Sequence, residues 1–314
     1  MLATGAGSLF GLGLVSTRSN AAAEKTPSLR FVHITDVHIN DKNDAPKGVA
    51  TMFAHIFARK ADRPELVINS GDVCMAVDGN VTGKQAAEQI ALWKTAVKDC
   101  PVPIKYCLGN HDIWGGLEPT AEIPATLKGE ALMVKTLGLT APWYSFDQGG
   151  WHFIALNSMA NWPNYGTLTK EHFEWLIDDL KKTPKETPVV VYSHLPILSV
   201  TSSVYGNETR KGNNNVIPGV WQHADCWEIT EVFRRFPNVR LCLSGHMHTC
   251  DRVEYRGVWY ICGGAASGAW WGGSEYGFLP CYGLVTLYPN GQFDYEFVDY
   301  GWTARKWSGK QLPI

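Results

Sequence analysis

The sequence predicts an α/β domain, and three observations support this. Six apolar, β-branched runs each stop abruptly at polar residues, as expected of strands in a sheet covered on both faces. Amphipathic helical segments lie between these runs, which is the order of a layered α/β architecture. From about residue 250 onward the pattern changes to hairpins rich in Gly and aromatic residues, so the last quarter is predicted to be antiparallel and to close a second sheet.

The spacing of apolar residues places the individual elements. The strand segments are, in chain order, LRFVHITDVH, ELVINSGD, IKYCLGNHD, WHFIALNS, PVVVYSH and NVRLCLSGH. A first helix is predicted over 47–60. A second, TKEHFEWLIDDLKK, can be capped by Thr169 and has one apolar face, formed by Phe173, Leu176, Ile177 and Leu180. A third, DCWEITEVFRRF, is predicted to begin with a capping box of Asp225 and Glu228, followed by an apolar stripe of Ile229, Val232, Phe233 and Phe236.

Composition and charge narrow the class of protein. Of the 314 residues, 45% are hydrophobic and 18% are charged, which is typical of a folded globular protein. The formal net charge is -2, so the sequence indicates neither a basic nucleic-acid surface nor an acidic tail. A nuclease is therefore disfavoured.

Residues 1–23 resemble a secretory leader. A short apolar run is followed by an A-x-A site at residues 21–23. We expect a leader that lacks its basic end, either because the start codon is placed too late or because a leader of twin-arginine type is truncated; an ordinary flexible N-terminus is the alternative. Residues 24–314 are predicted to be one domain without a membrane span. A periplasmic or secreted location follows from the leader.

The eight cysteines are compatible with an oxidising compartment. Cys100 and Cys107 flank a predicted strand and lie too far apart for a mutual bridge. Cys250 and Cys262 could meet across the hairpin CDRVEYRGVWYIC, whose turn is predicted at 256–257. No CxxC pair occurs, which disfavours a structural zinc site.

Polar residues at five strand ends carry the functional prediction. In chain order they are Asp36 with His38, Gly71-Asp72, Gly109-Asn110-His111-Asp112, His194, and Gly245-His246 with His248. Each alone is weak, because a single histidine after a strand is more often a surface residue than a ligand. Together, however, they contain five of the ten histidines. Carboxylate, imidazole and amide donors without thiolate suit ions such as Mn, Fe or Zn, and neighbouring glycines let the backbone turn sharply. We predict that the distant clusters are walls of one metal site.

This ordered set resembles the calcineurin-like metallophosphoesterase superfamily over about residues 30–250. The resemblance implies a four-layer α/β/β/α sandwich of two mixed sheets flanked by helices, with the metal site at the C-terminal ends of strands. It implies two divalent ions, with Asp72 bridging them: one held by Asp36, His38, Asp72 and His248, the other by Asp72, Asn110, His194 and His246. It further implies a catalytic pair, His111 and Asp112. His111 would stabilise the phosphoryl oxygens or protonate the leaving alkoxide.

The chain departs from the family pattern at Met75. Members usually have an Asp there, which orients the GNH histidine, or a Tyr that ligates ferric iron in purple acid phosphatases. The missing Tyr argues against a purple iron site. The missing Asp leaves another carboxylate to set the tautomer of His111, and Asp112 and Asp78 are the nearest in sequence. A weaker general acid would favour substrates with better leaving groups.

Two further features are open to more than one interpretation. The tract 263–283 could place Trp270, Trp271 and Tyr276 beside the metals as a platform for a flat group, or its aromatics could simply close the core. Segments 113–140 and 199–222 are predicted rims of the cleft, in which Lys211 or Asn213 would contact substrate or remain solvated.

The leading functional prediction is a binuclear metal hydrolase acting on small-molecule phosphate esters. Phosphodiesters, including cyclic nucleotides, are favoured over monoesters. The alternatives are a broad phosphomonoesterase, a nuclease, and a non-catalytic binding protein that metal ions stabilise. The sequence makes no prediction of oligomeric state.

Overall fold

Strands and helices alternate in the predicted order in the computed structural model, which describes residues 26–77, 81–205 and 210–305. The predicted leader at 1–23 and Asp78 lie outside these residues. The strands are β1 Leu29–Ile34, β2 Leu66–Asn69, β3 Ile104–Tyr106, β4 Tyr144–Gln148, β5 Trp151–Ala155, β6 Val189–Tyr192, β7 Arg210–Lys211, β8 Asn214–Asn215, β9 Val239–Ser244, β10 Cys250–Tyr255, β11 Val258–Gly263, β12 Cys281–Leu287 and β13 Phe293–Asp299. The helices are α1 Ala45–Ala58, α2 Gly83–Val97, α3 Ala131–Thr136, α4 Lys170–Lys182, α5 Thr201–Val204 and α6 Cys226–Arg235.

Two mixed sheets form the centre of the fold. The first has the order β13-β12-β1-β2-β3, and the second has the order β10-β11-β9-β6-β5-β4. Strands β1, β2 and β3 run parallel, as do β5, β6, β9 and β11. The six strands predicted from apolar runs are all among these parallel strands. Their carboxyl ends therefore meet at one edge of each sheet, where ligands gather in α/β folds.

Alternation along the strands divides the core into three layers. Phe31 and Ile68 of the first sheet face Phe153 and Leu243 of the second, in a core between the sheets. Residues that point to the other face of the first sheet, such as Val32, pack against α1 and α2. Those of the second sheet pack against α4 and α6. This is the predicted four-layer α/β/β/α sandwich, because each sheet buries one face on its partner and one on helices.

Local hydrogen bonds explain where the helices begin. Thr169 accepts from the backbone N–H of His172 at 3.1 Å, so its predicted cap is confirmed. The predicted capping box of α6 is wrong: the Asp225 carboxylate accepts instead from the Leu168 N–H and bonds the His223 ring. Helix α2 was not predicted, although Thr82 and Gln85 form a capping box at its start. Its wide spread of alanine and polar residues weakens the apolar periodicity from which helices are inferred.

The last quarter is antiparallel only in part. Strands β12 and β13 form a hairpin, but it adds to β1 and so extends the first sheet. The hairpin of β10 and β11 turns at Arg256 and Gly257 as predicted, and β11 then runs parallel to β9. The pairing of Cys250 with Cys262 is wrong, because Cys262 lies opposite Asp251 in the register. The two cysteines, offset by one register position, therefore lie on opposite faces of the hairpin.

No helix among the described residues is both long and apolar enough to cross a membrane.

A partly buried ion-pair cluster ties α4 to the edge of the second sheet. His152 on β5 bonds Asp147 at 2.7 Å and Asp179 of α4 at 2.8 Å. Burial lowers the pKa of His152, but the hydrogen bonds of the two carboxylates outweigh it and raise that pKa above its ordinary value. A raised folded-state pKa stabilises the fold below the unfolded value of 6.5, and this stabilisation is lost as the pH rises through the folded pKa.

We therefore expect His152→Gln to lower the free energy of unfolding by about 1.5 kcal/mol near pH 6, where both hydrogen bonds are charge-assisted. At pH 9 the loss should be smaller. Urea unfolding of both proteins at the two pH values measures the difference. An equal loss at both would show that packing, not charge, is responsible.

Candidate metal centre and active site

The predicted ligands lie in the loops that leave β1, β2, β3, β6 and β9. Five of them hold left-handed backbone conformations: Asp36 (φ 52°), His38 (φ 48°), Asp72 (φ 54°), His246 (φ 70°) and His248 (φ 55°). Residues other than glycine rarely adopt positive φ, and such strain persists where the surrounding structure enforces it. Here it directs the side chains from separate loops towards a common point.

Glycines let these loops approach closely. A side chain at Gly109 would collide with the carboxylate and backbone of Asp72. One at Gly245 would collide with Thr35 and Asp36. The sharp backbone turn predicted at these glycines is found at Gly71, whose φ is +102°. At the other two positions the requirement is close approach rather than turning.

The first cluster of donors comprises Asp36, His38, Asp72 and His248. His248 Nε2 lies 3.2 Å from Asp36 Oδ1 and 3.0 Å from His38 Nε2. His38 Nε2 lies 3.6 Å from Asp72 Oδ2. All four residues are buried. Their donor atoms thus face one small volume.

The second cluster comprises Asp72, Asn110, His194 and His246. Asn110 Oδ1 lies 3.0 Å from His194 Nε2 and 2.9 Å from His246 Nδ1. Asp72 Oδ2 lies 3.2 Å from the same His194 nitrogen. This single carboxylate oxygen thus faces both clusters. The structure brings all seven predicted ligands together in the predicted grouping.

Backbone carbonyls orient three of the four imidazoles. His194 Nδ1 donates to Ser70 O at 2.9 Å, His246 Nε2 to Val220 O at 2.7 Å, and His248 Nδ1 to Gly268 O at 2.6 Å. Because a carbonyl only accepts, the nitrogen facing it carries the hydrogen. The other nitrogen then presents a lone pair to the cluster, which is the arrangement that metal-binding histidines require.

The donor set fits metal ions better than hydrogen bonding among the side chains. His38 Nε2 and His248 Nε2 lie 3.0 Å apart, and the Gly268 carbonyl directs the lone pair of His248 towards His38 and Asp36. Asp36 Oδ1 is buried and has no hydrogen-bond partner among the described residues, while Asp36 Oδ2 accepts from Thr35 and the His246 N–H. Orphaned buried acceptors of this kind are rare without an ion. The two clusters are compatible with a binuclear metal site.

Burial controls the charges in the centre. It lowers the pKa of His38 and of His246 to about 4, so both rings are neutral near pH 7. Burial also lowers the pKa of His194, but the neighbouring Asp72 outweighs it and raises that pKa to about 9. A cation beside Asp72 would displace that proton, as expected when metal ions bind imidazole.

Asp112 and His111 have different surroundings. The Asp112 carboxylate accepts from the backbone N–H groups of Val73 at 3.1 Å and Gly109 at 3.0 Å, so it ties together the loops that carry Asp72 and Asn110. Burial, then the charge of Asp72, raises the pKa of Asp112 to about 7. Among the described residues, no hydrogen bond joins the Asp112 carboxylate to the His111 ring. Asp112 therefore positions the two loops and does not orient that imidazole.

The His111 ring lies at the mouth of the centre. It packs edge-on against His38, with ring centroids 4.7 Å apart. The backbone N–H of His111 donates to Asp72 Oδ1 at 2.8 Å. His111 is only partly buried. Its Nδ1 is nevertheless buried and has no hydrogen-bond partner in the described part of the chain. Met75 therefore leaves this nitrogen without the carboxylate that the family pattern would supply.

The aromatic residues of tract 263–283 divide between the two predicted locations. Trp270 lies beside the centre, with its ring 4.6 Å from His248 and 6.0 Å from His38. Trp271 is buried in the core against Trp302 and donates to Val37 O. Tyr276 packs on Tyr205, away from the ligands' rings.

A second tryptophan, which the sequence did not single out, lies on the other side of the centre. Trp162 packs edge-on against His246 at 6.0 Å. It lies in a turn between β5 and α4, and no motif or periodicity marks it. The rim residues Lys211 and Asn213 belong to the exposed hairpin of β7 and β8 and stay without an assigned role.

The family model of the calcineurin-like phosphoesterases matches residues 29–250, which include every donor residue described above. The chain belongs to this family. As a calcineurin-like phosphoesterase, the protein is a metal-dependent phosphoester hydrolase.

Individual relatives share the fold at low sequence identity. A 3′,5′-cyclic-nucleotide phosphodiesterase of Nostoc sp. is 25% identical over 242 residues, which cover 76% of this chain and 78% of the relative. The 3′,5′-cyclic adenosine monophosphate phosphodiesterase CpdA of Escherichia coli is 23% identical over 73% of both chains. A dimetal phosphatase of Danio rerio superposes with a TM-score of 0.60 at 13% identity, covering 88% of this chain and 97% of its own. The last comparison supports the sandwich fold of this phosphoesterase.

Proposed function

We propose that this phosphoesterase uses two divalent ions to hydrolyse small phosphodiesters, including cyclic nucleotides. The observation that carries the proposal is the position of Asp72 Oδ2, which faces His38 Nε2 at 3.6 Å on one side and His194 Nε2 at 3.2 Å on the other. A shared carboxylate between two sets of donors is the arrangement of a two-metal hydrolase. The oxygen and imidazole donors suit Mn, Fe or Zn.

The residues of the centre would have the following roles. Asp36, His38, Asp72 and His248 would hold one ion, and Asp72, Asn110, His194 and His246 the other. The ions, when bound, would polarise the phosphoryl oxygens and offset the charge that develops during displacement. His111, partly exposed beside His38 and Asp72, is placed to donate a hydrogen bond to a phosphoryl oxygen or a proton to the leaving alkoxide. Asp112 would keep Asp72 and Asn110 in position through its hydrogen bonds to the loops that carry them.

The surroundings of the centre favour a substrate with organic groups. Trp270 packs beside the rings of His38 and His248 and also lines a cleft of about 360 Å³, whose walls include Met75 and the start of α2. A cleft of this size accepts a group such as a nucleoside. Its side chains are mainly amide and apolar, with the exposed Asp41, Lys42 and Glu88 as its charged residues. The named activities of the Nostoc and E. coli relatives support cyclic nucleotides as candidates.

The test is metal reconstitution followed by a substrate comparison. The protein is stripped with a chelator, reloaded with Mn, Fe or Zn, and assayed on bis-p-nitrophenyl phosphate, p-nitrophenyl phosphate and cyclic AMP. We expect activity only after reloading, with faster turnover of the diesters. Preference for the monoester would favour a phosphomonoesterase instead. Metal binding that changes only stability would indicate a non-catalytic, metal-stabilised protein.

Trp270→Ala should distinguish substrates by their organic groups. Loss of the indole face removes stacking of about 1–3 kcal/mol for a nucleobase. We expect KM for cyclic AMP to rise roughly tenfold, while KM for an alkyl phosphodiester, which has no aromatic ring, rises less. Trp227→Ala, a change at an exposed tryptophan of α6, is the control. Equal effects on both substrates would exclude a base-stacking role.

Met75→Asp should restore a partner for His111. A carboxylate at this position would hold the tautomer of the ring and its proton, so poor leaving groups should benefit most. We expect higher kcat on an alkyl phosphodiester and little change on bis-p-nitrophenyl phosphate. Met75→Leu, which adds no charge, should change neither. No gain with the alkyl ester would count against the role assigned to His111.

We also propose that residues 1–23 direct the chain to the periplasm or outside the cell. The support is the apolar run with its A-x-A site. Expression of the full chain followed by N-terminal sequencing of the exported fraction tests this, and a protein that keeps residue 1 and stays in the cytoplasm contradicts it.

A further inference from the structure

Two cysteines that no catalytic role uses face each other across the two sheets. Cys250 begins β10 in the second sheet, and Cys281 begins β12 in the first. Their sulfurs lie 3.7 Å apart, although 31 residues separate them in the chain. The contact thus joins the two halves of the sandwich beside the loop that carries His246 and His248.

Gly264 makes room for this contact. Its φ is +79°, and a side chain there would come within 2.7 Å of the Cys281 sulfur and 2.8 Å of the Cys250 sulfur. Backbone hydrogen bonds hold both cysteines to the same short segment. Cys250 pairs with Gly263 in the hairpin, and the Cys281 N–H donates to Ala265 O at 3.1 Å. The two sulfurs are therefore held close by the fold rather than by chance rotamers.

The two sulfurs must come closer to form a bond. A disulfide has its sulfurs about 2.05 Å apart, so the Cys250 and Cys281 sulfurs, now 3.7 Å apart, need to approach by about 1.7 Å. Cys262, the other cysteine of the hairpin, points elsewhere, since its thiol donates to Gly245 O at 3.3 Å. The hydrogen bonds of the described residues give no other cysteine a sulfur partner.

We propose that Cys250 and Cys281 form a disulfide when the protein meets a small disulfide-bonded oxidant. Cys250 is partly exposed and Cys281 is 5% exposed, so the oxidant reaches Cys250 first. The Cys250 thiolate displaces one thiol of the oxidant and forms a mixed disulfide. The Cys281 thiolate then displaces the second thiol. The two cysteines lose two protons and two electrons, and the oxidant is reduced to two thiols.

A Cys250–Cys281 disulfide would restrict the segment that lies beside the candidate metal centre. It links the ends of the stretch 250–281, which contains the Gly268 carbonyl that orients His248 and the indole of Trp270. Constraining a loop of this length stabilises the fold through the unfolded state. We expect oxidation to raise the melting temperature of the metal-loaded protein by about 5 °C.

The experiment uses the metal-loaded full chain and oxidised glutathione at pH 8.5. After denaturation and alkylation, the number of free thiols should fall from eight to six, and peptide mapping should recover a Cys250–Cys281 cross-link. Cys281→Ser should lose both the cross-link and the rise in melting temperature. Cys226→Ser, at a partly buried cysteine of α6, should keep both.

Three results would overturn the proposal: eight free thiols after oxidation, a cross-link between other cysteines, or glutathione retained on Cys250. Mapping of the wild-type chain decides among these even if a serine variant fails to fold. The outcome is independent of substrate, so it is separate from any failure of the phosphodiesterase assay.

Discussion

Asp72→Asn is expected to abolish binding of both metal ions and to reduce kcat/KM by roughly a thousandfold or more. The amide oxygen can still accept from the His111 N–H, as Asp72 Oδ1 does at 2.8 Å. The negative charge shared between His38 and His194 is lost, however, and both ions depend on it. Elemental analysis after reloading and gel filtration, together with the diester assay, measures the two effects.

The control for this variant is Asp178→Asn, at an acid of α4 that is 61% exposed and paired with Lys181. It removes the same charge from the surface and should change neither metal content nor rate. If Asp72→Asn kept two ions and lost only activity, Asp72 would not bridge them, and the grouping of donors proposed above would be wrong.

His111→Asn is expected to leave both ions in place and to lower kcat by about 10²–10⁴-fold. The backbone N–H of His111 donates to Asp72, and its ring packs on His38. The two proposed groups of metal donors do not include His111. The loss should be larger for an alkyl diester than for bis-p-nitrophenyl phosphate, because a poor leaving group needs a proton more. Steady-state rates on both substrates and elemental analysis test this.

His55→Asn, at a partly buried histidine of α1 that bonds Tyr282, is the matched control. One nitrogen of His111 lies within 4.8 Å of donor atoms of His38 and Asp72. If the variant lost an ion, His111 would be a ligand rather than a proton donor.

The sequence was sufficient to predict that these donor residues lie together, because they share one physical signature. Asp36, Asp72, Asn110, His194 and His246 each follow a buried parallel strand, and the carboxyl ends of such strands meet at one edge. The periodicity of apolar residues therefore placed the site, and the donor chemistry identified its class. The confirmed fold and family depend on the same residues.

The remaining details depend on contacts that periodicity does not encode. The backbone carbonyls of Ser70, Val220 and Gly268 orient three imidazoles. Because every residue has a backbone carbonyl, the sequence could not show which ones would do so. Strand register decides that Cys250 faces Cys281 rather than Cys262.

Neighbouring aromatic residues show the same limit. The left-handed backbone at Trp270 and Trp271 sends one indole to the metal centre and the other into the core, although the sequence presents them as equivalent neighbours. Tertiary packing decides which of the two lies beside the candidate metal centre.

The central claim is that seven side chains from five strand ends enclose a pair of cations. Its most direct measurement is the metal content of the chelator-stripped protein after saturating reconstitution with Mn or Zn and removal of unbound ions. The account predicts two ions per chain, lost together in Asp72→Asn. One ion or fewer per chain at saturation would contradict it.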